Sequence, residues 1–179
     1  MHQVYRYVGP EHIRAAVEGM APGVAVRSER DLAEWADRQT EWRNGELIAT
    51  YVVLVGGLLQ LAPRRCEHVA CAAGQEVWAA GELTLCRQPE LAIVAISNLS
   101  TGYCPQPACW SALEASLHAL DIEYPDQLTA SFEFRLCPGC GQRNLIKDEW
   151  YECASCESPL PRTWNFHAPR ASSEDPQMR

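Results

Sequence analysis

Four cysteines in two matched pairs, Cys137-Pro-Gly-Cys140 and Cys153-Ala-Ser-Cys156, are the residues of this sequence best suited to do chemistry, and that chemistry is metal binding. A Cys-x-x-Cys turn offers two thiolates to one ion, and a hairpin between two such turns brings both pairs to one tetrahedron. The residues between Cys140 and Cys153 leave room for two short strands, over 142–146 and 150–153, joined by a turn at Lys147-Asp148-Glu149. Gly141 supplies the backbone freedom that the first turn needs. Four thiolates fill the shell of one zinc ion and leave no position for water or substrate, so the expected role is structural. Redox dithiols are the alternative use of such pairs, but two pairs at hairpin distance favour the metal.

A second concentration of polar groups lies upstream, in 64–71, 79–82 and 97–105. Read as an alternating strand, 66–71 puts Cys66 and His68 on one face and Glu67 and Val69 on the other. Three uses compete. In the catalytic one, His68 is a general acid or base, Glu67 or Glu82 orients it or acts as a second acid–base group, and Asn98, Ser100, Thr101 and Tyr103 bind substrate. In the structural one, Glu67 pairs with Arg64, Arg65 or Arg87, His68 is a satisfied core residue, and Ser100-Thr-Gly-Tyr103 is a turn bonding its own backbone. The third is a ligand pocket without chemistry. Whether the chain is an enzyme is left open. Gly81 and Gly102 are expected to let backbone approach a ligand closely. Cys66, Cys71, Cys86, Cys104 and Cys109 fit best as small buried hydrophobes, against a second metal site with His68 or a Cys104 nucleophile.

On these motifs, residues 137–161 resemble a zinc ribbon, which implies one structural Zn²⁺ held by Cys137, Cys140, Cys153 and Cys156. More weakly, residues 50–105 resemble a segment shared by plant IQ-motif proteins and bacterial toxin-associated proteins. The residues that carry this are Gly56-Gly57-Leu58-Leu59, His68 with Ala70-Cys-Ala-Ala-Gly74, Ala79-Ala-Gly-Glu82 and Ser100-Thr-Gly-Tyr103 before Pro105. The segment departs from that pattern at Cys71 and at Thr101-Gly102. This resemblance implies the place of a site and no reaction.

The elements that must position these residues are legible as an α+β chain. Apolar periodicity predicts helices over 10–19 and 28–39, the second opened by Ser28 with Asp31, and a later helix over 107–120 with Trp110, Leu113, Leu117 and Leu120 on one stripe. Short strands are expected over 4–8, 24–27, 47–55, 58–62, 66–71, 76–80, 82–87, 91–97 and 128–136, giving a mostly antiparallel sheet. Gly56-Gly57 marks a tight hairpin. The expected divisions are a main domain over 1–136, the ribbon over 137–164 and a disordered tail over 165–179.

At 179 residues and 47% apolar content the chain can bury a real core. A net charge of −8 argues against phosphate backbones as partners, and the ribbon lacks a basic stripe, so nucleic acid is disfavoured. A protein partner or small ligand fits better, with Trp150, Tyr151 and Trp164 as candidate contacts. The longest uncharged run, 47–62, is too short and too interrupted for a membrane helix. Nine cysteines without a signal-peptide pattern point to the cytoplasm.

Overall fold

The computed structural model describes residues 2–87 and 89–166. The apolar run in the middle of the chain becomes the centre of an antiparallel sheet because both of its faces are covered. Strand β2 (Glu46–Leu54) is buried at every position from Ala49 onward, the pattern of a strand sandwiched on both sides. It pairs with β3 (Leu59–Pro63) across the glycine turn, where Gly56 and Gly57 take φ of 106° and 87°, and with β4 (Val77–Cys86) on its other side. Edge strands β1 (Val24–Val26) and β5 (Ala92–Ile96) complete the order β1-β3-β2-β4-β5.

Helices α1 (Glu11–Ala16), α2 (Glu29–Asp37) and α4 (Trp110–Leu117) occupy the three predicted positions. Ser28 caps α2 by accepting the Asp31 N–H, and Leu32, Trp35 and Ala36 turn into the core. Single 3₁₀ turns, Pro107–Cys109 and His118–Leu120, flank α4. Leu113, Leu117 and Leu120 are buried as expected, and His118 is exposed. Ser116 on α4 donates to the Gly57 carbonyl, pinning the helix to the β2–β3 turn.

Several expected elements differ. Residues 66–71 are not a strand: His68–Cys71 form a one-turn helix, α3, packed on β2 and β3. Val69, Ala70, Cys71 and Ala72 are all buried in succession, which a strand with one wet face does not allow. The two strands expected at 76–80 and 82–87 are one, running through Gly81. The expected strand over 4–8 reduces to a single bridge between Tyr5 and Val77. Of 128–136 only Glu133–Leu136 is strand, here β6, and it pairs with β7 (Arg143–Ile146) in a separate two-stranded sheet.

Of the expected C-terminal tail, Asn165 and Phe166 are described and the rest lies outside the described residues. Asn165 brackets Leu136 with its side chain, accepting the Leu136 N–H at 2.9 Å and donating to its carbonyl at 2.7 Å. No helix among the described residues is long and apolar enough to cross a membrane.

Candidate metal centre

The β6–β7 hairpin carries the first cysteine pair at its turn. The expected hairpin, with 150–153 as the partner of 142–146, does not form. Asp148 and Glu149 adopt left-handed φ of 50° and 55°, and the chain leaves β7 in a turn closed by Trp150 N–H to the Lys147 carbonyl. The second pair sits instead in a loop bridged between Glu152 and Pro159.

The two cysteine turns are nevertheless built alike. In the first, the Cys137 N–H donates to the Gln142 carbonyl and the Gly141 N–H to the Cys137 carbonyl. In the second, the Cys153 N–H donates to the Ser158 carbonyl and the Glu157 N–H to the Cys153 carbonyl. The left-handed position is filled by Gly141 in one (φ 73°) and by Glu157 in the other (φ 59°).

Together the turns place the four sulfurs within 4.8 Å of one another. Cys137 Sγ lies 3.6 Å from Cys156 Sγ, and Cys140 Sγ 3.5 Å from Cys153 Sγ. Four sulfurs about 2.3 Å from one zinc ion stand about 3.8 Å apart, so the spacing fits a tetrahedral ion and is too long for disulfides. Cys137 and Cys153 are buried while Cys140 and Cys156 reach the surface. Among the described residues no other group of three or more His, Cys, Asp or Glu ligand atoms draws this close.

The thiols do not shift together: the Gln142 N–H lowers Cys140, but the thiols of Cys156, Cys153 and Cys137 outweigh it and push Cys140 up to about 12. The Ser155 N–H, above all, draws the Cys153 thiol down to about 6, and Ser158 beside Cys156 lowers that one too. Asn144, which the sequence reading missed, is buried on β7 and joins the two turns. Its amide donates to Gln142 O at 2.9 Å and lies 3.6 Å from Cys153 Sγ, while its Oδ1 accepts the Ala154 N–H at 3.0 Å. An asparagine four residues after Cys140, directly before the apolar pair Leu145-Ile146, is the faint signal that could have found it.

The cysteine-bearing segment is seated on the rest of the chain mainly through the loop 97–104 and the N-terminal residues Tyr5 and Val8. Arg143 Nη1 donates to the carbonyls of Thr101 (2.8 Å) and Val8 (3.2 Å). Trp164 Nε1 donates to the Cys104 carbonyl at 2.7 Å while its ring meets Tyr5 edge-on. Asn98, fully buried, donates to the Pro105 and Phe132 carbonyls and accepts the Phe132 N–H. Arg135, 6% exposed, gathers the carbonyls of Phe134, Pro161 and Arg162 and the Glu133 carboxylate.

The residues singled out upstream are therefore in this loop and on the sheet beside it, engaged as follows. Ser100 Oγ accepts the Tyr103 N–H. Tyr103 is fully buried, donates its hydroxyl to the Gln75 carbonyl at 2.7 Å, and burial raises its pKa. Thr101 is exposed and contributes its carbonyl to Arg143 and to the Cys104 thiol. His68 Nε2 bonds to the Gly81 carbonyl at 3.0 Å; burial of the ring lowers its pKa, so it is neutral at pH 7 and Nε2 carries the proton. Glu82 meets Arg64 at 3.3 Å, and Glu67 is exposed at the start of α3. His68, from α3, thus reaches Gly81 on β4, where Glu82 is the next residue, while Ser100 and Tyr103 belong to the loop's interior.

Gly81 is close to protein: a Cβ there would lie 2.0 Å from the Ser97 carbonyl, which also accepts the Tyr51 hydroxyl. The space beside Gly102 is taken by the Tyr7 ring. A groove of about 220 Å³ nearby is lined by Glu41, Arg43, Glu46, Ile48, Arg64 and Arg65. Burial pushes Cys71, Cys104 and Cys109 up to about 12, which keeps them as thiols.

Compared with known protein families, curated proteins and solved structures, the chain matches none, so neither resemblance read from the sequence gains support there.

Proposed function

We propose that the protein is a zinc-stabilised interaction module, in which a structural Zn²⁺ held by Cys137, Cys140, Cys153 and Cys156 rigidifies a ribbon that presents Trp150 to a protein partner. One observation carries it: the segment that supplies the second pair of the four-sulfur cluster also leaves Trp150, three residues before Cys153, 65% exposed. A bound ion would supply fixed geometry and charge compensation, with no open position for reaction. The ribbon's other aromatics face inward or are covered. Trp164 packs on the main core, and the Tyr151 ring lies under the Arg162 guanidinium at 4.1 Å. Trp150, by contrast, is the large, rigid, amphipathic side chain that anchors protein contacts.

Around it Asp148, Glu149, Glu152 and Glu157 are exposed against one exposed lysine, Lys147, while Arg143 is engaged with the Thr101 carbonyl and Arg162 stacks on Tyr151. This balance favours a partner with cationic groups over nucleic acid. Zinc thiolates suit a reducing compartment, the cytoplasm in our reading. An acid–base site at His68, Glu67 and Glu82 with Asn98, Ser100, Thr101 and Tyr103 is the weaker reading, because most of these polar groups already bond to the protein itself.

Metal analysis tests the first half: purified protein should carry one equivalent of zinc, and clearly less refutes the centre. For the second, a partner retained on immobilised wild-type protein should be lost with Trp150→Ala and kept with His68→Ala. Equal retention by Trp150→Ala counts against the surface, and a turnover that vanishes with His68→Ala would reinstate the enzyme.

A further inference from the structure

Two neighbouring side chains of β7 reach in different directions, one to the metal centre and one to the main domain. Asn144 holds Cys153 and Ala154 of the second cysteine turn. Arg143 crosses to the carbonyls of Val8 and Thr101. We infer that metal occupancy of the ribbon and the order of the 97–104 loop are one coupled equilibrium, transmitted through Arg143 and Asn144. This rests on the zinc reading and adds a regulatory consequence to it.

The coupling follows from how small the ribbon's own apolar core is. Its own apolar cluster consists of Cys137, Cys153 and Leu160, with Ile146 and Tyr151 packed against them, so two of its three buried members are themselves ligands. A core of that size does not sustain a hairpin without the ion. When the ion leaves, β7 loosens, and the Val8 and Thr101 carbonyls lose their guanidinium donor. The loop that carries the Thr101 carbonyl also fixes the N-terminal segment, since the Val8 N–H donates to Gly102 O at 2.7 Å. A groove of about 410 Å³ is walled on one side by Tyr7–Glu11 and on the other by Leu136 and Gly141–Arg143, so its shape depends on the same event. Linkage requires the converse: whatever seats Arg143 tightens the metal.

Two measurements decide it. In competition with a chromogenic chelator, Arg143→Ala should still bind one equivalent of zinc but roughly tenfold more weakly, although the side chain bonds to no ligand, with Arg143→Lys between it and wild type. Hydrogen exchange on the unmodified chain, zinc-loaded against zinc-stripped, needs no variant to fold. The Val8 and Cys104 amides, which donate to Gly102 O and Ser100 O, should lose protection on stripping while the centre of β4 keeps it. Wild-type affinity in Arg143→Ala, or loop amides that stay protected without zinc, overturns the coupling. A wild-type chain that binds no zinc at all overturns the metal reading beneath it, so the two failures are distinct.

Discussion

Glu157 does with a side chain what Gly141 does without one. Both sit in the left-handed region at the same point of matched cysteine turns, and an L-residue there costs about 1–2 kcal/mol. Glu157→Gly should therefore raise the unfolding free energy of zinc-loaded protein by about 0.5–1 kcal/mol, part of the gain offset by the freer unfolded chain. Gly141→Ala should lower it by about 1–2 kcal/mol, a purely conformational cost because no heavy atom stands within 4 Å of the added Cβ. Thermal unfolding with zinc present checks both. His68 predicts a pH effect. Its folded pKa lies below the unfolded value of about 6.5, so the folded state disfavours its protonation. Stability from this residue is complete above pH ~6.5 and declines as pH falls towards the folded pKa. Replacing it by Gln, which keeps a donor and cannot titrate, should flatten the wild-type slope between pH 7 and 5; an unchanged slope would refute the assignment. The clustering of Cys137, Cys140, Cys153 and Cys156 was readable because spacing alone encodes it. Asn144 was not, since its partners depend on how the second turn lies against β7.

Elements were read well where a cap, an apolar stripe or a glycine turn marked them, as at α2 and the β2–β3 hairpin. The capping pattern of Ser28 and Asp31 and the apolar stripe of α2 have a local cause, and the structure keeps them. Alternation misled at 66–71, where His-Val-Ala-Cys-Ala-Ala-Gly already contained a helix signal: alanines, then a glycine with φ 74° just after the turn. The hairpin partner of β7 was missed because two cysteine pairs suggest a symmetric ribbon, whereas the preceding strand β6 lay nearer in sequence. Gly81 is the joint of the sheet. Tyr51 stands opposite it on β2, and the chain at Ser97 passes where a Cβ would be. Gly81→Ala should cost about 3 kcal/mol by forcing Ser97 away and breaking the Tyr51 hydroxyl bond. Denaturant unfolding that shows less than a third of this would mean the loop yields easily.

For the molecule as a whole, two tryptophans near its C-terminal end have opposite consequences. Trp164→Ala should destabilise by about 2–3 kcal/mol, since it strips a half-buried ring from the face of the main core and frees the Cys104 carbonyl. Trp150→Ala should fall within about 0.5 kcal/mol of wild type. Chemical denaturation of the zinc-loaded variants separates them. The α+β architecture was legible because it follows from periodicity, but the seating of the ribbon was not, being made of carbonyls that any residue type supplies. That seating bears on where the chain can be cut. The composition suggests a division after residue 136, yet a truncation there removes Arg143, Trp164 and Asn165 together. The carbonyls of Val8, Thr101 and Cys104 and both backbone groups of Leu136 would be stripped of their partners at once. A fragment ending at residue 136 therefore lacks partners that the full chain supplies, and Trp164 and Asn165 work as a clasp on backbone laid down 60 and 29 residues earlier.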